Sequence, residues 1–261
     1  MNPTLSVFAI AKNEENNIRS FIEHLQGFAE EIVIVVDAST TDNTLAVAQS
    51  LNAKAMGHPF ISYSTQKQFA LEQCTGTWVL NLDLDERLTE ELKAEILATI
   101  NNPRTTANLF HLPLRNIFLG KVMKHGNVGR ARPPRLARRL VATFGREKVH
   151  ERLSAPGKPI TLKHYFLHNP YRDLNHFMAK MNDYTTSWAE DKFARGKKFR
   201  CWQLWRFPLD FFSNYILRGG FLEGRRGLIW SFGSTAYSFF KYAKLGQLSL
   251  RPKDVPTSSR K

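Results

Sequence analysis

Two apolar runs, T-L-S-V-F-A-I-A at residues 4–11 and E-I-V-I-V-V-D at 31–37, constrain the fold more than any other feature of this chain. Both are nearly continuous and rich in β-branched residues, which is how strands covered on both faces of a parallel sheet read. Between them, Ile18, Phe21, Ile22 and Leu25 recur at helical spacing behind an acidic first turn that complements the helix dipole. The pattern then repeats. S-T-T-D at 39–42 opens a helix carrying Leu45, Val47, Ala48 and Leu51, and a short strand follows near 53–56. A helix over 64–73, the run T-W-V-L-N-L-D, and a helix capped by Thr89 complete the series. Strand–helix alternation from 4 to 100 predicts an α/β domain: a mostly parallel sheet flanked by helices.

Beyond residue 100 the rhythm changes. Residues 107–119 and 134–144 read as strands that extend or cover the sheet, with a basic Gly/Pro-rich loop between them. From Asp173 to Leu245 the pattern is helical and densely aromatic. The expected division is an α/β domain over 1–170, a helical basic and aromatic extension over 171–248, and a disordered tail over 249–261. Charge divides along a similar line. Residues 1–100 hold six Lys/Arg against fourteen Asp/Glu, whereas the remainder holds thirty-one against nine. The back of the chain is built to attract an anion: nucleic acid, a phosphorylated substrate or an acidic membrane surface. The two cysteines, Cys74 and Cys201, have no metal-ligand spacing and fit a reducing compartment. No apolar run reaches the ~18 residues of a membrane span.

The run W-V-L ends in N-L-D-L-D-E-R, three carboxylates in four positions. If the strand continues through them, Asp83 and Asp85 point the same way, ~7 Å apart. They fall at the C-terminal end of a strand, the edge at which open α/β sheets bind ligands. Two such carboxylates raise each other's pKa unless a cation lies between or beside them. A hard divalent ion, Mg²⁺ or Mn²⁺, bridging phosphate oxygens answers that need. A solvated strand end is the alternative, and D-x-D alone leaves both open.

Several blocks in order resemble the family-two glycosyltransferases of GT-A (Rossmann-like) fold. V-F-A-I-A-K-N-E-E-N-N-I resembles their opening strand and loop, and E-I-V-I-V-V-D-A-S-T-T-D-N-T their second block. Q-K-Q-F-A-L-E-Q-C-T-G-T-W-V-L-N-L-D-L-D-E is similar to the block that leads into the D-x-D. Further on, R-P-P-R-L-A-R-R-L, K-V-H-E-R-L, H-N-P-Y-R-D-L and N-Y-I-L-R-G-G-F-L-E-G-R-R-G-L resemble lipopolysaccharide-core glucosyltransferases that act on inner-core heptose. The resemblance implies that 1–170 is the nucleotide-sugar-binding and catalytic domain, and it implies a role for each matched position. Asp37 pairs with the nucleotide base at uracil N3–H, and Asn13 and Glu14 bracket the nucleoside. Lys67 reaches the diphosphate, Asp83 faces the ribose or donor sugar, and Asp85 holds the metal. By residue type, Arg132, Arg135, Arg138 and Arg139 clamp phosphate on donor or acceptor or form a solvated basic face, and alternation sets Arg135 and Arg139 on one strand face. His168 supplies a metal or diphosphate contact or is structural. Glu151 is the base that deprotonates the acceptor hydroxyl, or else an ion-pair partner for a nearby arginine. Asn43 and Gln68 depart from the family pattern, where glycine and asparagine are common.

The resemblance thus implies a metal-dependent, inverting transfer of a sugar, glucose from UDP-glucose, to a lipid-anchored saccharide such as the lipopolysaccharide inner core. Trp202, Trp205, Phe207, Phe211, Phe212 and Tyr215, interleaved with basic residues, suit an anionic bilayer surface or a helical core. The expected location is cytoplasmic, peripheral on the inner membrane. Two other classes compete with this reading. A polyanion- or nucleic-acid-binding protein would use the basic half, but no recognition-helix, zinc or RNP-type signature accompanies it, so no nucleic-acid partner is expected. A nucleotidyltransferase on a similar scaffold calls for a Gly-rich basic first loop, where this chain has A-K-N-E-E-N-N.

Overall fold

A computed structural model describes residues 3–128, 131–145 and 152–250, which form two compact units. One comprises the described residues of 1–116 and 129–169, the other those of 117–128 and 170–261.

In the first unit the two apolar runs become β1 (Leu5–Ala11) and β2 (Glu31–Asp37), joined through α1 (Glu15–Leu25). α2 (Thr44–Ser50) leads to β3 (Lys54–His58), and α3 (Tyr63–Glu72) leads to β4 (Trp78–Asn81). In chain order then follow β5 (Glu86–Leu88), α4 (Glu90–Asn101), β6 (Leu109–His111), β7 (Leu114–Phe118), β8 (Lys121–Val122, in the second unit), β9 (Pro134–Arg138), β10 (Thr143–Phe144), β11 (Leu153–Ser154), β12 (Ile160–Thr161) and β13 (Phe166–His168). Seven strands make one sheet in the order β12-β6-β9-β4-β1-β2-β3, of which β4, β1, β2 and β3 are mutually parallel. β9 inserts antiparallel between β4 and β6.

Period two sorts β1 into the two helical layers. Leu5, Val7 and Ala9 pack with Ile18, Phe21, Ile22 and Leu25 of α1, while Phe8 packs with Val33, Val35 and the α3 residues Ala70 and Leu71. Each large apolar side chain buried in this way contributes about 1.5–3 kcal/mol. The edge of the sheet is drawn tight at Gly76, whose N–H donates to Ser6 Oγ at 2.8 Å. A Cβ at that position would lie 2.7 Å from the same oxygen, so only glycine fits.

Two expectations change here. Residues 107–119 divide into β6 and β7 at Pro113, which has no N–H to continue a ladder. Residues 134–144 are strand only to Arg138, after which Arg139–Val141 form a single 3₁₀ turn. Arg139 therefore does not share a strand face with Arg135; its Nε donates to Gly76 O at 2.8 Å.

The second unit begins with the tight hairpin of Ile117–Phe118 and β8. It continues through α5 (Leu174–Ala194), a 3₁₀ turn at Cys201–Trp205, α6 (Arg206–Phe212), a π turn at Ser213–Leu217 and α7 (Arg225–Leu250). Phe118, Met123, Val128 and Phe177 form a small core, against which Tyr171 and Trp230 pack. Part of the aromatic content is therefore core. Ser249 and Leu250 belong to α7 rather than to a tail, and residues 251–261 lie outside the described residues. Among the described residues, no helix is long and apolar enough to cross a membrane.

Candidate active site

β1, β2 and β4 run parallel, so Ala11, Asp37 and Asn81 reach the same edge of the sheet, the C-terminal one. At the end of β2, the buried Asp37 accepts hydrogen bonds from Ser39 N and Oγ, both at 2.9 Å, and meets Lys12 Nζ at 3.0 Å. The Ser39 amide first and Lys12 second hold its carboxyl below the usual range. The loop after β1 is tied to the loop after β2. Asn13, in the left-handed region at φ 53°, accepts from Thr41 N at 2.9 Å, and Glu14 N donates to Thr44 Oγ1 at 2.8 Å. Asp42 closes the arrangement by accepting from Glu15 N and from Thr44 N, each at 3.0 Å. The Glu14 carboxylate takes Asn17 Nδ2 at 2.6 Å. The second motif thus shapes the loop that presents Asp37.

The D-L-D segment is not a strand. β4 ends at Asn81 and the chain turns through Asp83–Asp85 before β5, so the two aspartates meet different partners. Asp83 Oδ1 pairs with Lys67 Nζ at 3.1 Å and Oδ2 with Arg135 at 2.9 Å. Burial alone raises its pKa, but Arg135 and Lys67 outweigh that and hold it well below the ordinary value. The same guanidinium donates to Asn81 Oδ1 at 3.0 Å and pairs with Glu86, leaving its Nε without a partner. Glu86, only 2% exposed, also accepts from Asp83 N at 2.9 Å. Burial pushes its carboxyl up to about 7, with Arg135 opposing and Asp83 adding to the rise. The crowded carboxylates are thus tolerated by protein cations: two on Asp83, one shared with Glu86.

Asp85 faces the other way. Its Oδ2 lies 3.2 Å from His168 Nε2, and His168 Nδ1 lies 3.1 Å from Asn116 Oδ1. β13 pairs with β5 and β7, setting His168 opposite both Glu86 and Asn116. Burial lowers the imidazole pKa, but the Asp85 hydrogen bond and charge more than offset it, so the pKa is raised. With Nδ1–H donated to Asn116, the Nε2 lone pair points at a carboxylate oxygen, and that contact calls for a positive charge between the two. A proton satisfies it, and so does a metal ion. One carboxylate and one imidazole fit a cation whose other positions are taken by phosphate oxygens and water, the usual habit of Mg²⁺. Among the described residues, no cluster of three or more His, Cys, Asp or Glu forms a closed cage.

The structure therefore brings together Asn13, Glu14 and Asp37 in one corner, Lys67, Asp83 and Arg135 in a second, and Asp85 with His168 in a third. Glu151, expected as the base, lies outside the described residues. Sequence reasoning missed Asn81, Glu86 and Asn116 as partners. Glu86 was in view as the third carboxylate of the cluster, but nothing local marked it as buried. Gln68, a departure from the family pattern, accepts from Phe144 N at 2.8 Å and so joins α3 to β10.

Residues 6–154 match the family described as "Glycosyl transferase family 2". The chain is 32% identical to the lipopolysaccharide core biosynthesis glycosyltransferase LpsC of Rhizobium meliloti, across 95% of each protein. It is 31% identical to an uncharacterized glycosyltransferase of Rickettsia typhi, across 97% of this chain and 90% of that one. In fold it is similar to Staphylococcus aureus TarS 1-349, solved in complex with UDP-GlcNAc. That match has a TM-score of 0.50 at 17% identity and covers 90% of this chain and 81% of that one.

Proposed function

Because the chain belongs to glycosyltransferase family 2, we propose that it transfers glucose from UDP-glucose to a lipid-anchored saccharide of the lipopolysaccharide-core kind, with inversion. One observation carries this reading: at a single sheet edge, Asp37, Asp83 and Asp85 each have a different environment. Asp37 suits a base N–H. Lys67 and Arg135 sit beside Asp83 where a diphosphate and sugar need cations and an acceptor. Asp85 and His168 suit Mg²⁺ or Mn²⁺, which when bound would offset the charge that grows on the departing UDP. Glu151 takes the acceptor hydroxyl proton as that oxygen bonds to the anomeric carbon and UDP leaves from the opposite face. The lipopolysaccharide-type acceptor is supported by likeness to LpsC over nearly the full length. The nucleotide held by TarS is uridine-based, which is the donor class proposed here.

Attachment to an anionic bilayer belongs to the same reading. Trp205, Leu209, Phe212 and Ile216, on the successive 3₁₀, α and π turns of 201–217, are all exposed, Trp205 by 72% and Leu209 by 68%. Arg206 and Arg218 lie on the same stretch, a composition that fits a headgroup region.

The deciding experiment is calorimetric titration with UDP, with and without Mn²⁺, of the wild type and Asp85→Ala. The reading expects metal-dependent UDP binding that GDP does not displace and that Asp85→Ala abolishes. Metal-independent UDP binding, or a substituted protein that behaves as wild type, counts against it. Flotation with phosphatidylglycerol vesicles at low salt tests attachment; protein left in the dense fraction refutes it.

A further inference from the structure

Within the second unit, a cavity of about 490 Å³ opens among the last turns of α5, the segment after it and α7, a volume in the range of ligand sites. Three aromatic residues line it, Trp188, Trp202 and Tyr242, and four cations, Lys192, Lys197, Lys198 and Arg200; no carboxylate does.

Its walls are held in place by local structure. α5 ends at a Gly196 cap with φ +69°, where Gly196 N donates to Phe193 O and Lys197 N to Lys192 O, both at 2.9 Å. These bonds fold Lys197 back beside Lys192. The Phe199 ring then rests on Gly246 of α7, where a Cβ would come within 3.1 Å of it, and this contact seats the Lys197–Arg200 segment. Arg200 N donates to Gln203 Oε1 at 2.9 Å and starts the turn that carries Trp202. Trp188 and Tyr242 meet edge to face at 5.3 Å, and Lys241 Nζ lies over both rings, at 5.0 Å and 5.8 Å, with Lys192 Nζ 5.8 Å from the Trp188 centroid. The nearby Asp191 is engaged with Arg195 at 2.8 Å, and none of the four lining cations has an ion-pair partner among the described residues.

We infer that this cavity is a binding site for an acidic saccharide, a sugar bearing carboxylate or phosphate groups. The exposed Trp202 ring suits the apolar C–H face of a pyranose, and a bare inorganic anion has no use for it. Four cations, of which Lys192 meets the Trp188 ring and none meets a carboxylate among the described residues, suit carboxylate or phosphate, and a neutral sugar has no use for those. Trp202, 60% exposed, forms the open platform at the rim. The inference rests on the proposed transfer to a saccharide acceptor and deepens it: the second unit holds the acceptor through its acidic sugars.

The test is calorimetry on the full chain with trigalacturonate, glucose 6-phosphate, maltotriose and inorganic phosphate. The proteins are the wild type, Trp202→Ala and the double variant Lys197→Glu/Lys198→Glu. These three side chains are exposed, and far-UV circular dichroism checks that the fold is unchanged. The expected result is saturable binding of at least one acidic sugar, with maltotriose and phosphate weaker by at least about tenfold. Each variant weakens the acidic sugar by a similar factor and leaves UDP binding unchanged. The inference is overturned if neither acidic sugar binds, if maltotriose or phosphate binds equally well, or if the variants have no effect. It is also overturned if only phosphatidylglycerol vesicles bind in a Trp202-dependent way, which would make the cavity part of a bilayer contact. UDP titration of the same samples separates the two readings: loss of UDP binding by the wild type sinks the transfer reaction and leaves the saccharide result to stand alone.

Discussion

Arg135→Met removes a buried guanidinium while keeping much of the side chain's bulk, and its cost follows from the unequal groups around it. Asp83 is 37% exposed at its side chain and keeps Lys67, so its loss is screened and amounts to about 0–1 kcal/mol. Glu86 is 2% exposed and loses the guanidinium it pairs with, a change that costs about 3–5 kcal/mol when a buried charge is left uncompensated. The Glu86 term therefore dominates. Its sign with pH is fixed by the raised carboxyl. A folded pKa near 7, above the ordinary 4.5, favours the folded state most below 4.5, and that stability is lost as pH rises towards the folded value. Without Arg135 the folded value rises further, so the loss continues to higher pH. The penalty of Arg135→Met is thus smaller at pH 5.5 than at pH 8.5. Urea unfolding followed by far-UV circular dichroism at the two pH values measures it. Glu86→Gln in the same chain removes the stranded charge and recovers at least about half of the loss at pH 8.5. A double variant no more stable than additivity allows, within about 0.5 kcal/mol, would show that Glu86 and Arg135 are not energetically coupled and refute this reasoning.

Asp37→Ala weakens uridine and UDP alike, whereas Lys67→Ala weakens UDP and spares uridine; calorimetry with the two ligands separates base from phosphate recognition. Asn116→Ala frees His168 Nδ1 and lowers metal-dependent UDP affinity about 10- to 100-fold, the usual effect of losing a residue that orients a ligand. Melting temperatures in the absence of metal report whether this variant is folded. In the second unit, burial works to raise the Glu223 carboxyl, but Lys121 at 2.8 Å and the amides of Lys124 and His125 hold it down at about 2. Because that folded value is depressed, its stabilisation is present above pH 4.5 and lost as pH falls towards 2. Glu223→Gln costs about 1.5–3 kcal/mol at pH 7, and the difference from wild type narrows in acid titrations followed by circular dichroism.

The parallel sheet could be read from the chain because its cause is local. Hydrophobic runs at 4–11 and 31–37 and helical periodicity between them need no distant partner to be recognised, and β2 starts and stops where its run does. The residue types at the sheet edge were legible for the same reason: Asp37 and D-L-D end apolar runs. Breaks inside the expected strands were harder to see. Pro113 explains one from chemistry alone, whereas the 3₁₀ turn at Arg139 follows from its bonds to Gly76 and Thr77 on a neighbouring segment.

What the sequence by itself determined, then, was the layered α/β scaffold and the chemical inventory along its C-terminal edge. Tertiary structure alone decided how that inventory is wired. Asp83 lies 52 residues from Arg135, and Asp85 lies 83 from His168. Which of the two aspartates meets Arg135 and which meets His168 depends on where β9 and β13 pair. It also depends on the turn after Asn81, which sends the two aspartates apart rather than along one face. Burial of Glu86 is likewise a property of the assembled sheet. Periodicity is written in neighbouring residues, but the electrostatics of a site depend on distances between charges, and only the folded chain sets those.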